Sequence, residues 1–136
     1  MRVLVLGAGA TGGYFGSRLI EAGCDVTFLV REARAALLAH DGLRVRATRG
    51  AFVVPVVAVT AVSADDAYDL VLLSCKAWDL DTAIDAIRPA VGPGTLVLPL
   101  LNGLRHLEQL DAAFGTSRVL GGLCHISVSL VADGGI

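Results

Sequence analysis

The chain has 136 residues, enough for one domain with a sizeable core, and 54% of them are hydrophobic, with a mean hydropathy of +0.69. The formal net charge of −2 at pH 7 offers no electrostatic basis for binding nucleic acid. No apolar run reaches the roughly 18 residues of a membrane-spanning helix, and a predicted strand begins at the N-terminus, so the sequence predicts neither a membrane anchor nor a signal peptide.

The apolar content and the cysteines further restrict the classes of protein to which the chain can belong. Such a composition indicates either a parallel sheet covered on both faces or a surface that another domain or partner covers. Cys24, Cys75 and Cys124 are odd in number and lack the spacing of metal ligands. We therefore expect reduced thiols, no metal site and a cytoplasmic protein.

The N-terminal stretch MRVLVLGAGATGGYFG predicts a strand, a glycine-rich turn and a helix. Val3–Leu6 is an apolar run of strand length, and the helix is expected from about Thr11 to Ala22, ending before Gly23. In that context the G-x-G-x-x-G spacing is typical of the turn that binds the pyrophosphate of a dinucleotide. The alternative is a tight strand-to-helix turn without a ligand.

Each glycine of this motif has a separate physical reason. Gly7 permits a tight turn, because glycine enters positive φ without steric cost. Gly9 has no side chain, which lets a pyrophosphate approach the backbone, and Gly12 lets the helix pack closely on the strand. The N–H groups and the positive end of the helix dipole would then hold the phosphates.

The residues after the second predicted strand, Asp25–Val30, bear on the choice between NAD and NADP. An acid at this position accepts a hydrogen bond from the ribose 2′-OH, whereas an arginine accommodates a 2′-phosphate. Arg31, with Arg34 close behind, favours NADP, because a guanidinium binds phosphate with two charge-assisted hydrogen bonds. Glu32 is the competing acid and leaves NAD open, and Arg31 could also be a solvated residue at a helix start.

The next stretch predicts a hairpin inserted into the alternating pattern of strands and helices. A second helix is expected over Glu32–His40, followed by strands at Leu43–Ala47 and Phe52–Thr60 that are joined at Arg49-Gly50. Pro55 indicates that the second of these strands is an edge strand or is broken.

A central strand is predicted at Asp69–Ser74, where the residues from Leu70 to Leu73 are all apolar. Lys76, the only lysine in the chain, follows this strand, and a helix is expected from about Asp79 to Ile87. The carboxyl end of a sheet strand is where open α/β sheets bind ligands, and an ammonium suits a ribose hydroxyl or a keto acid. The alternative for Lys76 is an exposed residue at a helix start, and Trp78 is predicted to pack in the core.

Asn102 occupies the equivalent junction after the next predicted strand, Thr95–Leu98, and before a helix expected over Leu104–Phe114. Its amide can donate and accept hydrogen bonds at once, which suits a ligand, but an asparagine here could also cap the helix.

A further strand is predicted to start at Val119–Gly122, and Ile126–Val131 is predicted as another strand or as the continuation of that one. His40 and His106 are assigned to surface helices, and His125 to a structural role.

Three stretches, Gly7–Gly12, Ser74–Trp78 and Leu101–Gly103, resemble in order and spacing the N-terminal domain of the ketopantoate reductases (2-dehydropantoate 2-reductases). The resemblance covers essentially the whole chain. It implies a Rossmann-type, doubly wound, mostly parallel α/β sheet with the inserted hairpin, and residues 1–136 as its dinucleotide-binding domain. It also implies NADPH-dependent reduction of the keto acid 2-dehydropantoate to pantoate, a step towards pantothenate and coenzyme A.

The resemblance implies roles for single residues as well. Arg31 matches the ligand of the 2′-phosphate, and Lys76 and Asn102 match positions that line the nicotinamide end, where Asn102 also comes near the substrate. Ser127 falls near a position that contacts the cofactor. The positions that match the pyrophosphate-binding turn are Gly7, Ala8, Gly9, Ala10, Thr11 and Gly12.

In that family a C-terminal helical domain supplies the proton-donating lysine and the acid and asparagines that bind the substrate. The chain ends at Ile136, before any such domain. We therefore expect a fragment of a longer two-domain enzyme, homodimeric at full length, that binds NADPH without turning over the substrate. Two alternatives remain open: another NAD(P)-dependent keto-acid or hydroxy-acid dehydrogenase, and a nucleotide-sensing module without chemistry.

Overall fold

The computed structural model describes residues 1–47 and 50–136. Within this part of the chain, all four helices lie within one residue of their predicted bounds. The elements follow in the order β1 (Arg2–Leu6), α1 (Ala10–Glu21), β2 (Asp25–Leu29), α2 (Glu32–Asp41), β3 (Leu43–Ala47), β4 (Gly50–Val54), β5 (Val57–Val59), β6 (Leu70–Leu73), α3 (Leu80–Ile87), β7 (Leu96–Pro99) and α4 (Arg105–Phe114).

The main sheet has the strand order β5-β2-β1-β6-β7, and every neighbouring pair is parallel. The chain moves outward from β1 through β2 to β5 and then returns to the other side of β1 to form β6 and β7. The strand order therefore reverses between β1 and β6, which is where open α/β sheets bind ligands beyond the carboxyl ends of the strands. The predicted Rossmann-type, doubly wound sheet is confirmed.

Both faces of this sheet are covered, as the alternating side chains of β1 illustrate. Leu4 is fully buried on one face in a cluster with Ile84 of α3 and Leu110 of α4. Val3 and Val5 are fully buried on the opposite face, in a second cluster that α1 covers. This two-sided burial accounts for the apolar composition of the central strands. Among the described residues, no helix is both long and apolar enough to cross a bilayer.

The predicted hairpin is formed by β3 and β4, which pair antiparallel with Leu43 opposite Val54. The turn predicted at Arg49 lies outside the described residues. The single strand expected over Phe52–Thr60 consists of two strands, because β4 ends at Val54 and β5 joins the main sheet beside β2. Pro55 lies at the break, since proline has no N–H to donate to a ladder of hydrogen bonds.

The segment after α4 contains less regular structure than predicted. Strand pairing beyond β7 is limited to a parallel bridge between Val97 and Val119, and the strand predicted at Ile126–Val131 does not form. The prediction was wrong because a local sequence pattern is not sufficient for a strand, which also needs the edge of a partner strand. Ile136 lies beside β3 instead, where its N–H donates to the carbonyl of Arg44.

Candidate dinucleotide-binding site

The glycine-rich stretch from Gly7 to Gly12 contains two glycines that the fold requires, Gly7 and Gly12, and one that it does not, Gly9. Gly7 has a φ of +92°, in the left-handed region that L side chains rarely adopt. A Cβ on Gly12 would lie 2.2 Å from both the Gly7 carbonyl oxygen and the Ser74 Oγ, so no side chain fits there. A Cβ on Gly9 would meet no protein atom within 4 Å. The space at Gly9 is therefore not a packing requirement of the protein, and it fits an approaching pyrophosphate.

The first turn of α1 is arranged to bind an anion. Its first intrahelical hydrogen bond runs from the N–H of Gly13 to the carbonyl of Gly9, at 2.8 Å. The N–H groups of residues 9–12 therefore have no acceptor within the helix. No side chain caps α1, and no acidic residue lies in its first turn. The positive end of the helix dipole is thus available for a phosphate.

Ser74 closes the other side of this turn. It follows β6, and its hydroxyl donates to the carbonyl of Leu6 at the end of β1, at 2.8 Å. This bond joins the two strands between which the sheet order reverses. The sequence analysis included Ser74 in the stretch Ser74–Trp78 but assigned it no role. Its position against Gly12 depends on the register between β1 and β6, which the sequence does not show.

The predicted site residues come together at the carboxyl edge of the sheet. The strands β2, β1, β6 and β7 are paired there in one row, formed by Leu29, Leu6, Leu73 and Pro99. Gly9, Lys76 and Asn102 each lie three residues beyond this row, after β1, β6 and β7. Arg31 lies two residues beyond it, after β2. Four separate stretches of sequence therefore converge on one edge.

Lys76 and Asn102 are both exposed at this edge. Lys76 has an extended backbone and precedes a short 3-10 turn, Ala77–Asp79. The alternative role of Asn102 as a helix cap is not realised, because Leu104 occupies the N-cap position of α4 and no side chain caps that helix. The amide of Asn102 and the ammonium of Lys76 are thus presented to solvent, next to the turn that ends β1.

Arg31 and Glu32 are both exposed at the start of α2, where Arg31 is the N-cap residue with an extended backbone and Glu32 is the first residue of the helix. An exposed guanidinium at this position can reach a 2′-phosphate, and an exposed carboxylate can reach a 2′-hydroxyl. The geometry thus retains both cofactor alternatives that the sequence left open.

Arg34 is the residue of this region whose role sequence reasoning missed. Its Nε and Nη2 donate to the carbonyl oxygen of Ala8, at 3.1 and 2.7 Å, and its Nη1 donates to that of Gly134, at 2.8 Å. Partial burial lowers the pKa of Arg34, and the positive charge of Arg44 lowers it further. The only sequence signal was its position one helical turn after Arg31.

Residues 3–136 match the protein family described as Ketopantoate reductase PanE/ApbA. The chain belongs to this ketopantoate reductase family. It is 42% identical over its whole length to an uncharacterized oxidoreductase, YkpB, of Bacillus subtilis, of which it covers 45%.

Solved structures agree with this assignment. The chain superposes on 2-dehydropantoate 2-reductase from Geobacter metallireducens with a TM-score of 0.90 and 36% identity, over 99% of this chain and 45% of that one. It also superposes on a D-mandelate dehydrogenase, solved with NADH and anilino(oxo)acetate, with a TM-score of 0.92 and 25% identity, over 99% of this chain and 44% of that one. The chain thus spans less than half the length of each of these three relatives.

Ser127, which the resemblance to ketopantoate reductases places near the cofactor, is exposed in a segment without helix or strand. The prediction of that contact relied on a strand through Ser127, which does not form. The neighbouring Val128 packs against the apolar cluster that includes Val5 and Leu72. A cofactor contact of Ser127 stays a prediction.

The aromatic and histidine assignments needed correction. Trp78 was expected to pack, but it is 81% exposed, because the 3-10 turn after β6 holds it outside the core. His106 was assigned to a surface helix, but it is only 5% exposed and occupies the inner face of α4. His40 is exposed as expected. His125, which was assigned a structural role, is also exposed and lies outside the helices and strands.

Cys75 lies between the end of β6 and Lys76, where partial burial raises the pKa of its thiol to about 11. That pKa also includes the lowering effect of a backbone hydrogen bond and a smaller raising effect of the nearby Asp79 carboxylate. The thiol is therefore protonated and weakly nucleophilic at neutral pH, as a structural cysteine is.

Proposed function

We propose that the protein is an NADPH-dependent reductase of 2-dehydropantoate, in which residues 1–136 form the dinucleotide-binding domain. The observation that carries the proposal is the turn between β1 and α1, where Gly9 leaves an opening that no packing contact requires. Membership of the ketopantoate reductase family supports the reaction. Because the chain covers less than half of its relatives, we propose that a further part of the protein supplies the remaining groups.

In this proposal the unpaired N–H groups at the start of α1 donate to the pyrophosphate. The guanidinium of Arg31 binds the 2′-phosphate, which sets the preference for NADPH over NADH. When bound, the reduced nicotinamide supplies a hydride to the keto carbon of the substrate.

Lys76 and Asn102 would then orient the reacting groups. Lys76 follows β6, which neighbours β1, and Asn102 follows β7, the next strand along the sheet; both are exposed at its carboxyl edge. We propose that the Lys76 ammonium and the Asn102 amide donate hydrogen bonds to the nicotinamide ribose and to the keto acid, which holds them in a reactive geometry. The general acid that protonates the developing alkoxide is proposed to lie outside residues 1–136.

A second candidate function is the reduction of a different 2-keto acid with NADH. The superposition on D-mandelate dehydrogenase with NADH favours it, as does the exposed carboxylate of Glu32 beside Arg31. The two candidates share the fold and the glycine-rich turn, and they differ in the 2′-phosphate and in the substrate side chain.

The deciding experiment measures steady-state rates of the protein expressed from its natural gene with a panel of substrates and cofactors. It pairs 2-dehydropantoate and benzoylformate, the keto acid that corresponds to mandelate, with NADPH and NADH. We expect the highest kcat/KM for 2-dehydropantoate with NADPH. A preference for benzoylformate with NADH would establish the second candidate. Oxidation of neither cofactor with either acid would refute the first candidate and would exclude benzoylformate as the substrate of the second.

A further inference from the structure

The guanidinium of Arg34 is held between two parts of the chain that are far apart in sequence. Two of its N–H groups donate to the carbonyl of Ala8 in the glycine-rich turn, and a third donates to the carbonyl of Gly134. Ala8 itself is only 3% exposed, so its carbonyl is satisfied mainly by this charged donor.

The bond to Ala8 has a consequence for the next residue. The carbonyl of Ala8 and the N–H of Gly9 belong to one planar peptide unit, and the peptide bonds of the described residues are all trans. In a trans unit the N–H points away from the carbonyl. Two hydrogen bonds that fix the Ala8 carbonyl toward Arg34 therefore also fix the Gly9 N–H toward the opposite side, which the guanidinium leaves open.

The other end of Arg34 is anchored by residues near Gly134. Gly134 has a φ of +78°, and a Cβ there would lie 2.8 Å from the Nη1 of Arg34 and 2.5 Å from the Cδ2 of Leu37. The same turn is tied to β3, because Arg44 donates to the carbonyl of Asp133 and Arg46 lies 3.1 Å from its carboxylate. Arg34 is thus fixed at both ends and is not a freely moving surface side chain.

We propose that Arg34 is a positioning residue, which aims the Gly9 N–H at the pyrophosphate of the dinucleotide by holding the Ala8 carbonyl from behind. The inference rests on the proposed function and assigns Arg34 a role separate from that of Arg31. The three hydrogen bonds of the Arg34 guanidinium all go to backbone carbonyls, whereas Arg31 is exposed and can bind the 2′-phosphate.

The test compares Arg34→Met with Arg44→Met in the naturally expressed protein. Both arginines hold the turn around Asp133, but only Arg34 also contacts the glycine-rich turn. The dissociation constants for NADPH and NADH are measured by the fluorescence of the reduced nicotinamide, with melting temperatures recorded in parallel.

We expect Arg34→Met to raise both dissociation constants by about tenfold and by the same factor, as for the loss of one charge-assisted hydrogen-bonding group. The ratio of the two constants should stay unchanged, because the 2′-phosphate contact is intact. Arg44→Met should leave both constants within about twofold of the unaltered protein, even where its melting temperature falls. Arg31→Met should instead weaken NADPH alone.

Two results would overturn the inference. A selective loss of NADPH affinity in Arg34→Met would make Arg34 a ligand of the 2′-phosphate, and unchanged affinity for both cofactors would make it a structural contact only. If Arg34→Met does not fold, the two dissociation constants are measured for Arg34→Lys instead, and both are again expected to rise by the same factor. Lysine keeps the charge but cannot bridge both carbonyls. Failure of the unaltered protein to bind either cofactor would refute the proposed function itself, an outcome distinct from these two.

Discussion

The three glycines of the turn after β1 are subject to different physical requirements. Gly7 is held at positive φ, and Gly12 is confined by the Gly7 carbonyl and the Ser74 hydroxyl. Gly9 has an ordinary φ of −80° and free space where a side chain would be. Gly7 and Gly12 would be needed in any protein with this turn, so Gly9 is the position that separates a ligand-binding turn from a purely structural one.

The first prediction uses this difference. Gly12→Ala should lower the free energy of unfolding by about 3 kcal/mol, because its Cβ would clash with the Gly7 carbonyl and with Ser74. Gly9→Ala should change that free energy by less than about 0.5 kcal/mol but should raise the Kd for NADPH by about tenfold or more. Urea denaturation and NADPH titration measure the two effects. Unchanged NADPH binding by Gly9→Ala would refute the proposed pyrophosphate position.

At the scale of single elements, α4 shows how an amphipathic helix can bury a polar residue on its apolar face. His106, Leu110 and Phe114 follow one another at intervals of four residues and are all buried. The imidazole ring of His106 thus lies at the N-terminal end of a row of buried apolar side chains. Within the described residues its Nε2 has no hydrogen-bond partner. A buried nitrogen without a partner lowers stability.

The second prediction follows from this unpaired nitrogen. His106→Leu should raise the free energy of unfolding by about 1 kcal/mol, because it replaces the buried polar group with an apolar side chain of similar size. His106→Ala is the control, and it should lower stability because it leaves a cavity. Urea denaturation of both variants measures the effect. A destabilised His106→Leu protein would show that the imidazole makes a favourable polar contact.

At the scale of the whole molecule, the parallel sheet gathers groups from distant parts of the chain along one edge. The reversal of strand order between β1 and β6 places the glycine-rich turn beside the residues that follow β6, with those that follow β7 next in the row. We propose that this edge provides the cofactor contacts and two orienting groups, Lys76 and Asn102. In the proposed division of labour, the general acid comes from outside residues 1–136.

The third prediction tests that division of labour. The 136-residue chain by itself should bind NADPH but should not oxidise it measurably when 2-dehydropantoate is added. Equilibrium titration and absorbance at the nicotinamide band measure the two properties. Sustained oxidation that depends on 2-dehydropantoate would place the proton donor within this chain and would contradict the proposal.

Local signals were sufficient for most of the secondary structure. The four helices and the strands before residue 48 are set by nearby features, such as the apolar run before Gly7 and the turn signal at Gly42. The strand predicted at Ile126–Val131 does not form, because pairing depends on a distant strand edge that a local sequence pattern cannot reveal. Whether Lys76, Asn102, Arg31 and Ser127 contact ligands stays a prediction, although the first three meet at one edge.

The sequence by itself determined that the chain is a parallel α/β domain with a dinucleotide-type turn, because glycine spacing and hydrophobic periodicity act over a few residues. Only the tertiary structure decided that Ser74 closes that turn, that His106 is buried and that Trp78 is exposed. It alone brought Arg34 onto the carbonyls of Ala8 and Gly134, 26 and 100 residues away in sequence. Contacts of this kind depend on strand register and chain crossing, which no local pattern encodes.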